Sequence, residues 1–155
     1  MKSGFKFGVA KLKQLFLNDI EVTAAAADLN RGALKKATGA LAAVDTGGGL
    51  FSWVNPEGAA IFIEHLAVKV TTKATGACSM DCGVTSTNAT TLSDTMIDGK
   101  DINAAAGTFT SDESAGTNGK QGRRCESGKW VTGSVVAGGA SAGIVGTYEI
   151  YYRVL

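Results

Sequence analysis

Residues 59–84 read AAIFIEHLAVKVTTKATGACSMDCGV, and residues 85–102 continue TSTNATTLSDTMIDGKDI. The first fourteen positions are rich in β-branched and aliphatic residues, which pack well on a pleated, half-buried surface. They predict one long strand over Ala59 to Thr72. Phe62, Leu66, Val68 and Val70 occupy even positions, whereas Ile61 and Ile63 occupy odd ones. Because side chains on a strand alternate between faces, the apolar set changes side near Glu64, as a bulge or a crossing between sheets would require. Ala77 to Thr85 then alternates without a break, with Cys78, Met80, Cys82 and Val84 directed inward and Ser79, Asp81, Gly83 and Thr85 outward.

The same period of two extends outward from this stretch. Leu50 to Val54 precedes it as a short strand, joined by a turn at Asn55, Pro56, Glu57 and Gly58. Met96 to Ile102 holds a short strand or one helical turn, between a polar connection at Ser86 to Thr95 and a loop at Ala104 to Gly119. Lys120 to Glu126 and Lys129 to Val136 read as strands joined by Ser127 and Gly128, and Gly138 to Gly143 as a turn. In the last strand, Ile144 to Leu155, Ile144, Tyr148, Ile150, Tyr152 and Val154 share one face, opposite Thr147, Glu149, Tyr151 and Arg153. Short strands separated by turn residues predict a mainly β fold, an antiparallel β-sandwich or jelly roll over residues 50–155. Glycine supplies the turns, at 21 residues against a single proline.

Residues 1–49 form a different region, an N-terminal arm expected to be partly helical. Leu12, Leu15, Phe16 and Ile20 would share one side of a helical turn within Lys11 to Ile20. Thr23 would cap a helix over Ala24 to Leu29, and Ala33 to Thr38 would add a further turn before Gly39. Such an arm buries too little surface to stand alone, so its apolar residues Phe5, Phe7, Leu12, Leu15 and Phe16 are the expected contacts with a partner or a neighbouring copy.

Charge and composition narrow the function classes. Of 155 residues, 15 are Lys or Arg and 14 are Asp or Glu, a net charge of +1 that gives no electrostatic argument for nucleic acid or an anionic membrane. No run of about 18 apolar residues is present to span a bilayer as a helix. Lysines at 2, 6, 11 and 13 interrupt the apolar core that a secretory signal needs, so synthesis in the cytoplasm is expected. Three cysteines cannot all pair within one chain. On a strand Cys78 and Cys82 stand roughly 13 Å apart, too far to bridge or share a metal, and they read as small buried hydrophobes. Adding Cys125 and His65 gives no zinc-finger spacing.

No catalytic pattern emerges, and no metal, cofactor or small-molecule substrate is expected. Asp94, Asp98, Asp101 and Asp112 lack the order of an EF-hand, and Asp98-Gly99 reads as a turn in which Asp bonds its own backbone. Gly47, Gly48 and Gly49, like Gly138 and Gly139, lack the lysine and hydroxyl of a phosphate loop. His65 is the one histidine and has no acid or nucleophile close in sequence. Arg123 and Arg124 read as a surface pair.

Two segments resemble virion proteins of tailed bacteriophages. Residues 22–30, VTAAAADLN, are similar to a Val-Thr-Ala-Thr-Ala-Ala-Glu-Leu-Asn signature of phage head and fibre proteins. Residues 70–84, VTTKATGACSMDCGV, and 93–102, SDTMIDGKDI, resemble a β-domain of small proteins that decorate or cement the phage head; GTNGK (116–120) and GKWVTGS (128–134) extend the likeness. Cys82 and the basic N-terminus depart from that pattern. The resemblance implies a decoration, minor capsid or head-fibre protein on the capsid surface that binds the major capsid protein as a homotrimer, without catalytic residues. The alternative is a receptor- or carbohydrate-binding domain of a tail fibre, with Trp53, Trp130, Tyr151 and Tyr152 as stacking residues. Tyr151, opposite the expected core face, is the foremost of these.

Overall fold

The computed structural model describes residues 15–17 and 20–22 as backbone, and 32–43, 48–88, 92–112, 116–119, 122–136 and 141–155 in full. These residues form eleven strands and no helix. The chain separates into two compact units, residues 1–30 and 31–155.

In the first unit, β1 (Leu15–Leu17) pairs antiparallel with β2 (Ile20–Val22), Leu15 opposite Val22 and Leu17 opposite Ile20. Strands therefore replace the amphipathic helical turn expected between Lys11 and Ile20, and Leu15 and Phe16 occupy alternate register positions instead of one helical side. Phe5, Phe7, Leu12 and the capped helix expected over Thr23 to Leu29 lie outside the described residues.

The second unit contains two antiparallel sheets. One has the order β4 (Gly49–Val54), β10 (Trp130–Val135), β6 (Ser79–Thr85), β7 (Ile97–Asp101). The other has the order β3 (Lys35–Ala40), β11 (Val145–Val154), β5 (Ile61–Thr72), β8 (Gly107–Thr110), with β9 (Arg123–Cys125) also paired to β5. Lys35–Ala40 is thus a strand where a helical turn was expected. Its six-residue ladder to β11 and the fit of Gly39 beneath Tyr148 outweigh the helix preference of its alanines. Gly107–Thr110 is a strand within an expected loop, placed by backbone pairing to Ala67–Val70 although Phe109 is its one large apolar residue.

Side chains from both sheets fill one core. Leu50, Ile61, Ile63, Leu66, Val68, Met80, Val131 and Ile150 are fully buried. Phe51 of β4 stacks on Tyr148 of β11 with ring centroids 4.3 Å apart, and Trp53 meets Tyr152 at 5.1 Å. Each ring of the first pair covers a glycine directly across its own sheet: Phe51 lies opposite Gly133, and Tyr148 opposite Gly39. A Cβ on Gly133 would stand 2.3 Å from the Phe51 ring, and one on Gly39 would stand 2.6 Å from the Tyr148 hydroxyl. The glycines are the space into which the rings fit.

The bulge expected near Glu64 is present. Tyr151 pairs with His65 and Tyr152 with Ile63, so Glu64 is the extra residue, and burial passes from Ile61 and Ile63 to Leu66, Val68 and Val70. Phe62 does not join the even set; it is half-buried on the other face, against Gly122. Between the segments of β5 that pair β9 and β8, Ser111 completes the edge. Its N–H donates to the Leu66 carbonyl at 2.9 Å, and its hydroxyl oxygen accepts from the Leu66 N–H at 3.1 Å.

The outward set of β6 is not open to solvent. Asp81 and Thr85 are each 8% exposed, and Gly83 lies beneath Ser93 and Thr95. At the end of β4, Asn55 is buried and joins three segments: its side-chain amide donates to the carbonyls of Ala59, Cys125 and Glu126, while its side-chain oxygen accepts from Glu57 N–H. With Phe51 held between Gly133 and Tyr148, Gly133→Ala is expected to destabilise the protein by about 1–3 kcal/mol through overpacking. Urea unfolding monitored by circular dichroism checks this; an unchanged midpoint would show that the ring can move aside.

Candidate functional site

The solvent-facing side of the five-stranded sheet carries the chemistry that the core does not absorb. The ladders place Lys36, Tyr151 and His65 in one row and Thr38, Glu149 and Ala67 in the next. Lys36 Nζ donates to Glu149 Oε1 at 2.7 Å and lies 5.3 Å from the centre of the Tyr151 ring. The Tyr151 hydroxyl donates to Glu149 Oε2 at 2.8 Å, and the His65 ring lies 6.0 Å from that of Tyr151. Arg153 Nε is 3.0 Å from Glu64 Oε1 across the bulge. The hydrogen bond from Lys36 holds the Glu149 carboxyl below its ordinary range and, reciprocally, raises the Lys36 ammonium.

The fold brings His65 to an acid that is distant in sequence, with Nδ1 3.6 Å from Asp112 Oδ1. The bulge at Glu64 is what turns His65 to this face, a consequence that sequence proximity does not reveal. Ser111 is adjacent to Asp112, but its hydroxyl is fully buried and engaged by Leu66 N–H. Among the described residues the arrangement presents an imidazole, carboxylates and a phenol, and Ser111 is not poised for attack.

The proposed stacking residues separate. Trp53 and Tyr152 pack against each other, and Tyr152 is 5% exposed, its hydroxyl donating to Glu57 Oε1. Burial, reinforced by Glu57, pushes the Tyr152 phenol up to about 12. Trp130 is half-buried on the four-stranded sheet, and Tyr151 is half-buried on the open face of the other. Among the proposed arm contacts, Leu15 and Phe16 fall on β1, while Phe5, Phe7 and Leu12 lie outside the described residues.

The loop acids serve structural bonds. Asp94 Oδ2 accepts from the Asn118 side-chain amide, and Asp98 Oδ2 from Asn118 N–H. Asp98 thus binds a segment twenty residues away instead of its own turn; Gly99, at φ 64°, donates its N–H to Asp81 Oδ1. Asp101 accepts from Asn103 N–H and Ala104 N–H. Arg123 donates to the Thr95 carbonyl and Arg124 to Glu126. Among the described residues no group of three or more His, Cys, Asp or Glu side chains is placed to hold a metal ion. The chain matches no known protein family, and no curated protein or solved structure is significantly similar to it.

Burial raises the Asp81 carboxyl, opposed by Gly99 N–H and reinforced by Asp98 and Asp94. A carboxyl that ionises less readily in the fold lowers stability as pH rises from its unfolded value through its folded one. Asp81→Asn keeps an oxygen for Gly99, so it is expected to raise the unfolding midpoint at pH 7 and to have little effect well below pH 3.8, the ordinary carboxyl value. Equal effects at both pH values in urea titrations would refute this.

All three cysteines are buried and free. Burial raises each thiol, Cys125 to about 11, and neighbouring acids reinforce the effect. Since the thiolate is the reactive form, the native protein is expected to leave all three unmodified by a colorimetric thiol reagent at pH 8, and to release three equivalents in denaturant. Rapid native labelling would contradict this placement.

Proposed function

We propose that this protein is a non-enzymatic structural component of a tailed-phage virion, decorating and stabilising the capsid by binding the major capsid protein shell. The observation that carries the reading is the division of the chain after Asn30, which joins a separate N-terminal unit to a β-unit with its own core. Such a division suits an arm that docks and a β-sandwich that is displayed. The similarities at 22–30, 70–84 and 93–102 support the same assignment.

In this reading the arm supplies the contact through its apolar residues, among them Phe5, Phe7, Leu12, Leu15 and Phe16, and homotrimers present several arms to the shell. Many equivalent weak contacts made in a fixed array raise the effective affinity without any single strong one. They would resist outward pressure on the lattice in the same way. The second reading, a receptor- or carbohydrate-binding module of a tail fibre, is favoured by Tyr151, whose ring reaches the open sheet face beside paired acids and bases.

Because β3 belongs to the sheet, the informative truncation begins at Arg31 and not at Leu50. A chain lacking Met1–Asn30 is expected to unfold with an unchanged midpoint yet to lose sedimentation with expanded phage heads, whereas removal through Gly49 lowers the midpoint. Undiminished head binding by residues 31–155 would overturn the arm's role. Electron microscopy of labelled virions separates the two readings, since label confined to the tail would favour the fibre module.

A further inference from the structure

The edge strands of the two sheets are protected unequally. Edges that are short or bulged resist pairing with another chain, whereas a long regular edge invites it. β8 and β9 have four and three residues. β4 has six, but its ladder to β10 shifts register at Gly133/Ser134, and the ladder of β7 to β6 shifts at Met80/Cys82. β3 combines six residues with an uninterrupted ladder to β11, and among the described residues no strand pairs with its other edge.

Two lysines stand on this strand, and an edge lysine normally discourages pairing. Here both are drawn back onto the same chain. Lys35 Nζ lies 2.7 Å from Glu57 and Lys36 Nζ 2.7 Å from Glu149, so their charges are compensated within one copy. The remaining residues, Ala37, Thr38, Gly39 and Ala40, are small and uncharged. Burial alternates along the strand, with Lys36, Thr38 and Ala40 exposed and Lys35, Ala37 and Gly39 half-buried.

From this edge we infer that a second copy of the chain pairs antiparallel with β3 about a two-fold axis through Thr38. Alternation and charge together select that register. Pairs of like parity keep the solvent faces of the two sheets continuous, and of the two such registers that pair most of the strand, the one centred on Thr38 holds the lysines further apart: Lys36 stands opposite Ala40 and Ala37 opposite Gly39, whereas a centre at Ala37 would set Lys36 opposite Thr38. Each lysine then faces an alanine, and the two Lys36 residues are offset by four positions, roughly 13 Å along the strands. The contact joins two five-stranded sheets edge to edge. This two-fold contact is distinct from the three-fold association of the capsid reading and would join copies of two different trimers; it needs no shell, so its failure leaves that reading intact.

Directly opposed residues in an antiparallel pair have Cα atoms about 4.5–5.5 Å apart, within disulfide reach. Because the native thiols are buried, an introduced surface cysteine reports its own neighbours. Under mild oxidation the full chain carrying Thr38→Cys is expected to run predominantly as a covalent dimer on non-reducing gels. Lys36→Cys alone and Ala40→Cys alone are expected to remain monomeric, and an equal mixture of those two variants to cross-link. The mixture also tests the register if Thr38→Cys proves unstable. Sedimentation velocity of the unaltered chain is expected to show reversible, concentration-dependent self-association that is lost when the β3 edge is blocked by Thr38→Pro. No covalent dimer from either the Thr38→Cys chain or the mixture, Lys36→Cys cross-linking as readily as Thr38→Cys, or a monomer at all concentrations would each overturn the proposal.

Discussion

The contact on which the β-unit depends is the stack of Phe51 on Tyr148, each ring seated over a cross-strand glycine of its own sheet. One sheet contributes Phe51 and Gly133, the other Tyr148 and Gly39, so the four residues fix the two sheets together at one point. Stacked aromatic pairs contribute about 0.5–1.5 kcal/mol beyond their buried area. The larger consequence is geometric. A glycine within a strand has no side chain to pack, and here the vacancy is filled by the ring that bridges the sheets. The contact also sets strand position, since sliding either ladder by one residue would place a ring over a side chain.

Register on the remainder of β5 follows from a second constraint. The extra residue at Glu64 allows one strand to bury Ile61 and Ile63 at one end and Leu66, Val68 and Val70 at the other. Without it, one half of the strand would expose its aliphatic side chains. On the other edge of β5, the gap between its β9 and β8 pairings leaves the Leu66 backbone groups to be satisfied, and Ser111 does this through both its N–H and its hydroxyl oxygen. Asn55 performs the analogous task where β4 ends. These bonds explain why Ser111 and Asn55 can lie at 0% and 3% exposure.

Much of the sheet was legible because alternation is a local signal. Residues 79–85 and 145–154 carry it on their own, and so does the change of side at Glu64. Lys35–Ala40 and Gly107–Thr110 do not, since their strand identity comes from what they pair with. KKATGA contains nothing large to alternate, and its conformation is set by β11 and by the Tyr148 ring above Gly39. The burial of Asp81, Gly83 and Thr85 was hidden for a related reason: the parity of a strand gives a side chain's direction but not whether a loop such as Ser93–Thr95 covers it. The His65–Asp112 approach required the fold, because 47 residues separate the two positions.

The distribution of polar groups indicates where recognition can arise. Among the described residues every buried side-chain nitrogen and oxygen has a hydrogen-bond partner. On the open sheet face, Lys36 with Glu149, Glu64 with Arg153 and His65 with Asp112 satisfy one another within a single copy. Exposed pairs of this kind contribute little to stability, about 0–1 kcal/mol, and each Lys–Glu or Arg–Glu pair offsets its own field, while Lys69 adds an exposed cation to the same face. In the proposed function and edge pairing, association draws on two resources that do not need charge: the apolar residues of the N-terminal arm and the backbone groups along the edge of β3.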